Sequence, residues 1–231
     1  PMVMSHAARR GRYNLALMER LVLLGVHPLI LRIQYRMHSA ISSFPSTLFY
    51  NDLIKNGIDD QKDRCFKGQP NTDFFPWPNP KCPILFWNVM SVEESYGSAT
   101  SFINSAEIGC VNQILTHLWQ KGVTASDIGI ITPYTGQQTL LLEHLPSISE
   151  ISDPDFFSEL EISSVDAFQG REKNFIILSC VRANKSNEIG FLKDTRRLNV
   201  SLTRAKFGIF ILANAATFTK NPCWYKLINL Y

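Results

Sequence analysis

Apolar side chains recur at helical spacing in several segments of the chain. In residues 14–24 they lie three and four positions apart, which predicts a helix with one buried face that ends at Gly25. A second such helix is predicted to begin at Asn104, with Glu107 completing a capping box, and to end at Gly122. Its predicted inward residues are Ile108, Val111, Leu115 and Leu118.

Other runs are apolar at nearly every position, which predicts strands buried on both faces. These are residues 29–33 (LILRI), 84–89 (ILFWNV), 128–131 (IGII), 175–181 (FIILSCV) and 208–213 (GIFILA). The more polar run of residues 161–165 (EISSV) is also predicted to be a strand. Because helical segments alternate with them, we predict an α/β fold of three layers with a mostly parallel sheet flanked by helices. Ligands of such sheets bind at the edge formed by the carboxyl ends of the strands, where we expect QYRMH, TPYTGQ and VDAFQGRE.

Two segments interrupt this alternation. A helix predicted after QYRMH is expected to break at Pro45, because proline removes a helical hydrogen bond. Residues 51–81 are rich in Pro, Asn, Asp and Gly, which predicts a long surface excursion with few core contacts.

Composition narrows the class of protein without indicating a function. The 231 residues are 45% apolar, as in ordinary globular proteins, and no apolar run approaches the roughly 20 residues that cross a bilayer, so no membrane partner is expected. Five widely spaced cysteines without a CxxC pair favour neither disulfides nor zinc and fit the cytoplasm or nucleus. The net charge of +3 is too small to indicate nucleic acid, and the start at Pro1 suggests a piece of a longer protein.

The segment SSVDAFQGREKNFIILSCVRAN, residues 163–184, carries the first candidate chemistry. After a buried strand, a turn holds Asp166, Gln169 and Gly170, and Gly170 permits close approach of the backbone to a phosphate. Arg171, Glu172 and Lys173 add charge beside it. The alternative is a β-hairpin with a solvated polar tip.

The second candidate is DTRRLNVSLTRAK, residues 194–206. With Asp194 as cap of a helix, Leu198, Leu202 and Ala205 would form its buried stripe. Arg197 and Arg204 would then share one face, and two guanidinium groups in fixed geometry suit a phosphate. The alternative is a solvent-facing basic helix.

Two shorter motifs follow predicted strands. In QYRMH, Tyr35 could stack on a base and Arg36 could reach a phosphate, or the tyrosine could be core packing. In TPYTGQ, residues 132–137, hydroxyl and amide groups could bind a sugar-phosphate backbone or cap the next helix.

Taken in order, QYRMH, ITPYTGQ, SVDAFQGREKNFIILSCVRAN and GFLKDTRRLNVSLTRAK resemble the second RecA-like lobe of superfamily 1B helicases. The sequence DAFQGREK, together with SCVRAN, is similar to the corresponding motifs of the RNA helicase family of nonsense-mediated mRNA decay. The resemblance implies a RecA-like, P-loop NTPase-type fold. It assigns residues 34–231 to the second lobe and residues 1–33 to the tail of the first lobe and the connecting segment.

The resemblance also implies roles for individual residues. Arg36 and Arg204 would be catalytic arginine fingers on the γ-phosphate of ATP, and Tyr35 would stack near the adenine. The other expected nucleotide-binding residues are Gln34, Gly170 and Glu172, and Gln169 would couple the two sites. The residues expected to touch RNA are Thr132, Pro133, Tyr134, Val165 and Asp166. Ser201 and Lys206, which lie beside Arg204, differ from the residues that the family usually has at these positions.

The chain contains neither GxxxxGK[ST] nor a DExx carboxylate pair. ATP and Mg²⁺ are therefore expected to be held mainly by a first lobe, and this chain alone is expected to be inactive. The implied partners are single-stranded RNA or DNA, the first lobe in cis, and decay-factor proteins bound through regions outside this chain. Two alternatives remain: a related superfamily 1 DNA or RNA helicase lobe, and a non-catalytic nucleic-acid-binding scaffold.

Overall fold

The computed structural model describes residues 3, 5–67, 69 and 73–230, and it divides the chain into two compact units. The units are Pro1–Arg32 and Ile33–Tyr231. This division lies one residue from the predicted boundary, and the assignment of the shorter unit to another lobe stays a prediction. Residues 1, 2, 4 and 231, at the ends of the two predicted domains, lie outside the described residues.

In the described part of the chain the longer unit contains nine strands and eight helices. The strands are β1 (Ile33–Gln34), β2 (Lys55–Asn56), β3 (Ile84–Asn88), β4 (Glu94–Tyr96), β5 (Ser98–Ile103), β6 (Ile128–Ile131), β7 (Glu161–Ser163), β8 (Lys173–Ser179) and β9 (Ala205–Ala213). The shorter unit contains α1 (His6–Arg10) and α2 (Leu17–Leu23). The helices of the longer unit are α3 (Ser39–Tyr50), α4 (Asp60–Asp63), α5 (Ser105–Gln120), α6 (Thr135–Ile148), α7 (Phe156–Glu159), α8 (Thr195–Leu202), α9 (Ala215–Phe218) and α10 (Pro222–Ile228).

The central sheet has five strands in the order β3-β9-β8-β6-β7, and every neighbouring pair is parallel. Strand β6 lies between β7 and β8. Strands β7 and β8 are therefore not paired with each other, and the hairpin alternative for residues 163–184 is wrong. Outside this sheet, β1 and β2 form a short parallel pair, and β4 and β5 form an antiparallel pair.

Helices cover both faces of the sheet, which gives the three layers. Successive residues of β8 alternate between the faces: Phe175 and Ile177 belong to one core cluster, and Ile176 and Leu178 belong to the other. Helices α5 and α6 cover the first face, and α3, α8 and α10 cover the second. The predicted α/β architecture, that of a RecA-like domain, is confirmed.

The helix that begins after Asn104 matches its prediction closely. The four residues predicted to point inward are all buried, and Gly122 follows the helix with φ of +77°. The Asn104 side chain accepts from the Glu107 amide, but the Glu107 carboxylate does not return to Asn104. The amide of Asn104 donates to Gln137 instead, so the reciprocal half of the capping box is wrong.

The predicted surface excursion over residues 51–81 contributes to the core, which corrects that expectation. Phe66, Phe74 and Trp77 are buried in the cluster under α5. The rings of Phe66 and Phe74 meet edge to face at 5.0 Å, and Trp77 stacks on Phe210 at 4.9 Å. Residues 68 and 70–72 of the predicted excursion lie outside the described residues.

Three local predictions in the first 50 residues also need correction. Helix α2 begins at Leu17 and ends before Gly25 in a Schellman motif. The apolar face that was predicted to be buried is exposed, because so short a unit cannot bury an apolar face by itself. Residues 29–32 form no strand, and β1 lies outside the central sheet. Helix α3 continues through Pro45, because burial of its apolar side outweighs the one missing hydrogen bond.

Among the described residues, no helix combines the length and the apolar character needed to cross a bilayer.

Candidate functional site

The loop of residues 34–37 is shaped by the side chain of Gln34. Its Oε1 accepts from the amides of Arg36 (2.9 Å) and Met37 (2.8 Å), and its Nε2 donates to the Met37 carbonyl (2.9 Å) and to Asn56 Oδ1 (2.6 Å). These bonds bend the chain directly after β1 and leave Tyr35 65% exposed. Gln34, predicted to bind the nucleotide, thus uses its polar atoms within the protein and shapes the loop on which Tyr35 and Arg36 lie.

Arg36 and Glu172, both predicted site residues, form an ion pair. Arg36 Nε lies 2.5 Å from one carboxylate oxygen of Glu172, and Lys206 Nζ lies 2.8 Å from the other. The hydrogen bond from Lys206, and then that from Arg36, hold the pKa of Glu172 below its ordinary value although burial opposes this. Two cations thus surround one anion, which leaves a local excess of positive charge suited to an anionic ligand.

Arg204 lies beside this pair. Its guanidinium donates to the carbonyls of Val200 (3.0 Å) and Arg171 (3.2 Å), while Arg36 donates to the carbonyl of Thr203 (2.9 Å). Burial and the nearby charge of Arg36 lower the pKa of Arg204, and Glu172 opposes them. The fold thus brings together the two arginines singled out in the sequence, which are far apart along the chain.

Helix α8 is capped by Asp194 as predicted, but Arg197 and Arg204 do not share a face of it. The helix ends at Leu202, so Arg204 lies beyond it. Arg197 instead pairs with Asp166 at 2.7 Å and packs over the ring of Phe191. The predicted buried residues Leu198, Leu202 and Ala205 are all buried.

The charged cluster, defined as Arg36, Glu172, Arg204 and Lys206, lies at the amino ends of β8 and β9. Glu172 directly precedes β8, and Arg204 directly precedes β9. The prediction that QYRMH and VDAFQGRE lie at the carboxyl edge is therefore wrong for Arg36 and Glu172. The segment between β7 and β8 explains this, because it leaves the carboxyl edge at Ser163 and returns to the amino edge at Lys173.

An open depression of about 500 Å³ lies at the cluster. Its lining includes Gln34, Tyr35, Arg36, Arg64, Glu172 and Lys206. Arg64 comes from the predicted surface excursion and was not foreseen as a site residue. Lys206 was noted only as a difference from the family sequence, although its position two residues after Arg204 could have indicated it.

The turn of residues 165–170 crosses between the two edges. Phe168 is fully buried beneath it, and Gly170 has φ of +87°, a conformation that favours glycine. Gln169 and Gly170 are both exposed, and Arg171 and Glu172 follow directly at the amino edge. The turn therefore joins the carboxyl edge to the charged cluster within a few residues.

The carboxyl edge holds the residues predicted to contact RNA, but most of their side chains point inward. Thr132, Tyr134 and Val165 are buried, Pro133 is half-buried, and Asp166 is exposed and paired with Arg197. Direct side-chain contact with a ligand is thus open only to Pro133 and Asp166 of this set.

A buried ion pair under that edge was not predicted. Arg182 Nε lies 2.9 Å from Glu93, and both side chains are only 10% exposed. Arg182 also donates to the Tyr134 hydroxyl (3.2 Å) and lies 4.2 Å over the ring of Phe102. Arg182 lies in SCVRAN, one of the motifs that carry the family resemblance. Glu93 lies in a loop before β4, and nothing in the sequence around it indicated an ion pair.

The charged cluster suits the phosphates of a nucleotide, since it presents an excess of cationic donors. Among the described residues, no group of three or more His, Cys, Asp or Glu side chains could hold a metal ion. The charged cluster therefore fits a nucleotide but does not fit Mg²⁺.

Comparison with known proteins shows the family of the chain. Residues 13–216 match the family model described as AAA domain. The chain belongs to this family. It is 46% identical over 231 residues to "Regulator of nonsense transcripts 1 homolog" of Drosophila melanogaster, covering 100% of this chain and 19% of that protein.

Two further relatives show the same relation. "ATP-dependent helicase NAM7" of Saccharomyces cerevisiae is 42% identical over 228 residues, which cover 99% of this chain and 23% of that protein. "Regulator of nonsense transcripts 1 homolog" of Arabidopsis thaliana is 42% identical over 231 residues, which cover 100% of this chain and 18% of that protein. The chain therefore spans about a fifth of the length of these relatives.

Proposed function

We propose that residues 34–231 are the second RecA-like lobe of an ATP-dependent helicase that moves along RNA in nonsense-mediated mRNA decay. Residues 1–33 would be the tail of the first lobe and the connecting segment. The names of the relatives and the parallel sheet support the proposal. The observation that carries it is that Arg204 lies beside the ion pair of Arg36 and Glu172, and that this pair lines an open depression.

In this proposal the two guanidinium groups stabilise the charge that develops on the γ-phosphate. Charge stabilisation of this kind by an arginine is worth about 10³ to 10⁵ in rate in phosphoryl transfer. Glu172 holds Arg36 in place through the 2.5 Å ion pair, which fixes the direction of its donors. Arg204 now donates to two main-chain carbonyls, and it would exchange these for phosphate oxygens when the neighbouring lobe closes.

Tyr35 would stack on the adenine, since its ring is exposed at the same depression. Gly170 would let the backbone approach the nucleotide, and Gln34 would shape the loop that carries Tyr35 and Arg36. ATP supplies the phosphoryl group that is transferred to water. Because the described residues offer no group of metal ligands and the chain lacks a Walker motif, Mg²⁺ and most phosphate contacts are assigned to the first lobe.

RNA would lie along the carboxyl edge of the sheet. Pro133 and Asp166 would contact its backbone directly, while Thr132, Tyr134 and Val165 would support the surface from within. Gln169, on the turn between the edges, would couple the two sites. Such contacts read no base sequence, so single-stranded DNA would also bind. Decay-factor proteins would bind outside this chain, and the widely spaced cysteines fit a cytoplasmic or nuclear location.

The test uses the full-length polypeptide that contains this chain. ATP hydrolysis stimulated by single-stranded RNA should fall about 10³-fold or more in Arg36→Ala and in Arg204→Ala. Arg196→Ala is the matched control, because Arg196 lies on the neighbouring helix α8 with its side chain 84% exposed, and it should stay within about twofold. The isolated chain should show no hydrolysis.

Normal turnover in Arg204→Ala would disprove the finger assignment. If the unsubstituted protein bound RNA but never hydrolysed ATP, the chain would be part of a scaffold and the motor proposal would be wrong.

A further inference from the structure

Arg64 lines the depression, and the segment that leads to it, residues 55–64, is hydrogen-bonded to neighbouring elements. Asn56 Oδ1 accepts from Gln34 Nε2 and from Ser42 Oγ, both at 2.6 Å. Asp60 accepts from the Ser39 amide at 2.9 Å and from the Ser39 hydroxyl. The segment is thus attached both to the loop that carries Tyr35 and to the start of α3.

Gly57 backs the ring of Tyr35. The Gly57 amide donates to the Gln34 carbonyl at 2.9 Å. A Cβ at Gly57 would overlap Cε1 and Cζ of Tyr35, so the ring lies directly against the glycine backbone. Since Tyr35 remains 65% exposed, the glycine holds part of the ring while the rest stays accessible.

Arg64 holds the main chain of the same tyrosine. Its Nη2 donates to the Tyr35 carbonyl, and its Nη1 donates to the Asp63 carbonyl at 2.7 Å. The guanidinium lies 5.8 Å from the centre of the Phe207 ring, and Nε is buried without a hydrogen-bond partner among the described residues. A charged donor fixed in this way restricts the main chain from which the Tyr35 ring projects.

We infer that Arg64 is a positioning residue for Tyr35, and that Arg64 and Gly57 together hold the ring on which the base of a nucleoside triphosphate stacks. The inference rests on the proposed function and adds a base-selecting element to it. Arg64 acts through Tyr35, not on phosphate, because the donors that the structure assigns bind main-chain carbonyls and Nε is covered. Holding Tyr35 ready for stacking reduces the conformational freedom lost when the base binds.

The experiment compares a probe that has a base with one that lacks it, using the full-length polypeptide. In Arg64→Ala, affinity for ADP should fall about tenfold, while affinity for inorganic tripolyphosphate should change less than about twofold. The KM for ATP should rise more than kcat falls. Arg64→Lys should recover part of the ADP affinity, since an ammonium group can still donate to the Tyr35 carbonyl.

A double-mutant cycle tests whether Arg64 works through Tyr35. Tyr35→Ala should lose ADP affinity selectively, and adding Arg64→Ala should cause no further loss, because the positioned ring is already gone. Fully additive losses would overturn the inference. So would an equal loss of tripolyphosphate binding, which would make Arg64 a phosphate ligand.

Gly57→Ala provides a second route if Arg64→Ala does not fold. The added methyl group would overlap the Tyr35 ring and the Ile33 side chain, and because the ring must shift, the same base-selective loss is expected. Gly109→Ala is the matched control, because a Cβ there meets nothing within 4 Å, and it should leave ADP affinity unchanged. Unchanged ADP affinity in Gly57→Ala would overturn the inference, whereas normal hydrolysis in Arg204→Ala would overturn the proposed function instead.

Discussion

Glu107 is a fully buried carboxyl group, and its titration should control how stability depends on pH. It lies in the first turn of α5, where it accepts from the Ser179 hydroxyl (2.6 Å) and the Val181 amide (2.9 Å). Burial raises its pKa to about 8 from an ordinary value of 4.5, and the hydrogen bonds from Ser179 and Val181 only partly oppose this. At neutral pH the folded protein therefore holds a proton that the unfolded chain releases.

The sign and size of the effect follow from this difference. Between about pH 4.5 and pH 8 the folded state binds more protons, so stability falls as pH rises, by up to about 1.4 kcal/mol per pH unit. Glu107→Gln removes the titration and keeps an oxygen that accepts from Val181. Relative to the unsubstituted protein, the variant should thus gain roughly 4 kcal/mol between pH 5 and pH 8.

Urea unfolding followed by tryptophan fluorescence at each pH measures this difference. The comparison cancels groups that both proteins share, such as His38, whose pKa burial lowers. The neighbouring thiols of Cys110 and Cys180 have pKa values raised by burial, so they stay neutral in this range. Glu143→Gln, at an exposed position of α6, should keep the pH dependence of the unsubstituted protein. A constant offset between Glu107→Gln and the unsubstituted protein at every pH would show that Glu107 is ionised in the folded state and refute the reasoning.

Three further outcomes are expected in unfolding experiments at neutral pH. Phe74→Ala should destabilise the protein by about 3–5 kcal/mol, since Phe74 is 1% exposed. A loss of stability under about 1 kcal/mol would instead support the prediction that residues 51–81 make few core contacts. Glu93→Ala should cost about 3–5 kcal/mol because it leaves Arg182 charged and buried, and a near-neutral result would contradict this. Gly170→Ala should destabilise the protein by about 1–2 kcal/mol, which is the strain of positive φ alone. Gly190→Ala should destabilise it more, because its Cβ would also overlap the Tyr134 hydroxyl. A larger loss of stability in Gly170→Ala than in Gly190→Ala would show that the contact with Tyr134 relaxes freely.

Much of the fold could be predicted from local pattern. The strand IGII is buried at every position, and α5 carries its apolar residues at helical spacing, so β6 and α5 were foreseen nearly residue by residue. Each pattern reflects a local requirement, because a strand between two helical layers must be apolar on both faces. The polar motifs of the candidate site were also visible, since charged residues beside buried strands stand out in the sequence.

The amino-acid sequence by itself thus determined the five strands of the central sheet, the layered architecture and the family resemblance, because these depend on residues that are near one another along the chain. Only the tertiary structure decided that Phe74 and Trp77 enter the core from a proline-rich segment, and that Arg64 joins the depression. It also decided that Arg36 and Arg204 meet at the amino ends of the strands and that Glu107 loses all contact with solvent. Burial and long-range pairing depend on which part of the sheet the other elements leave uncovered, and no short stretch of sequence specifies that.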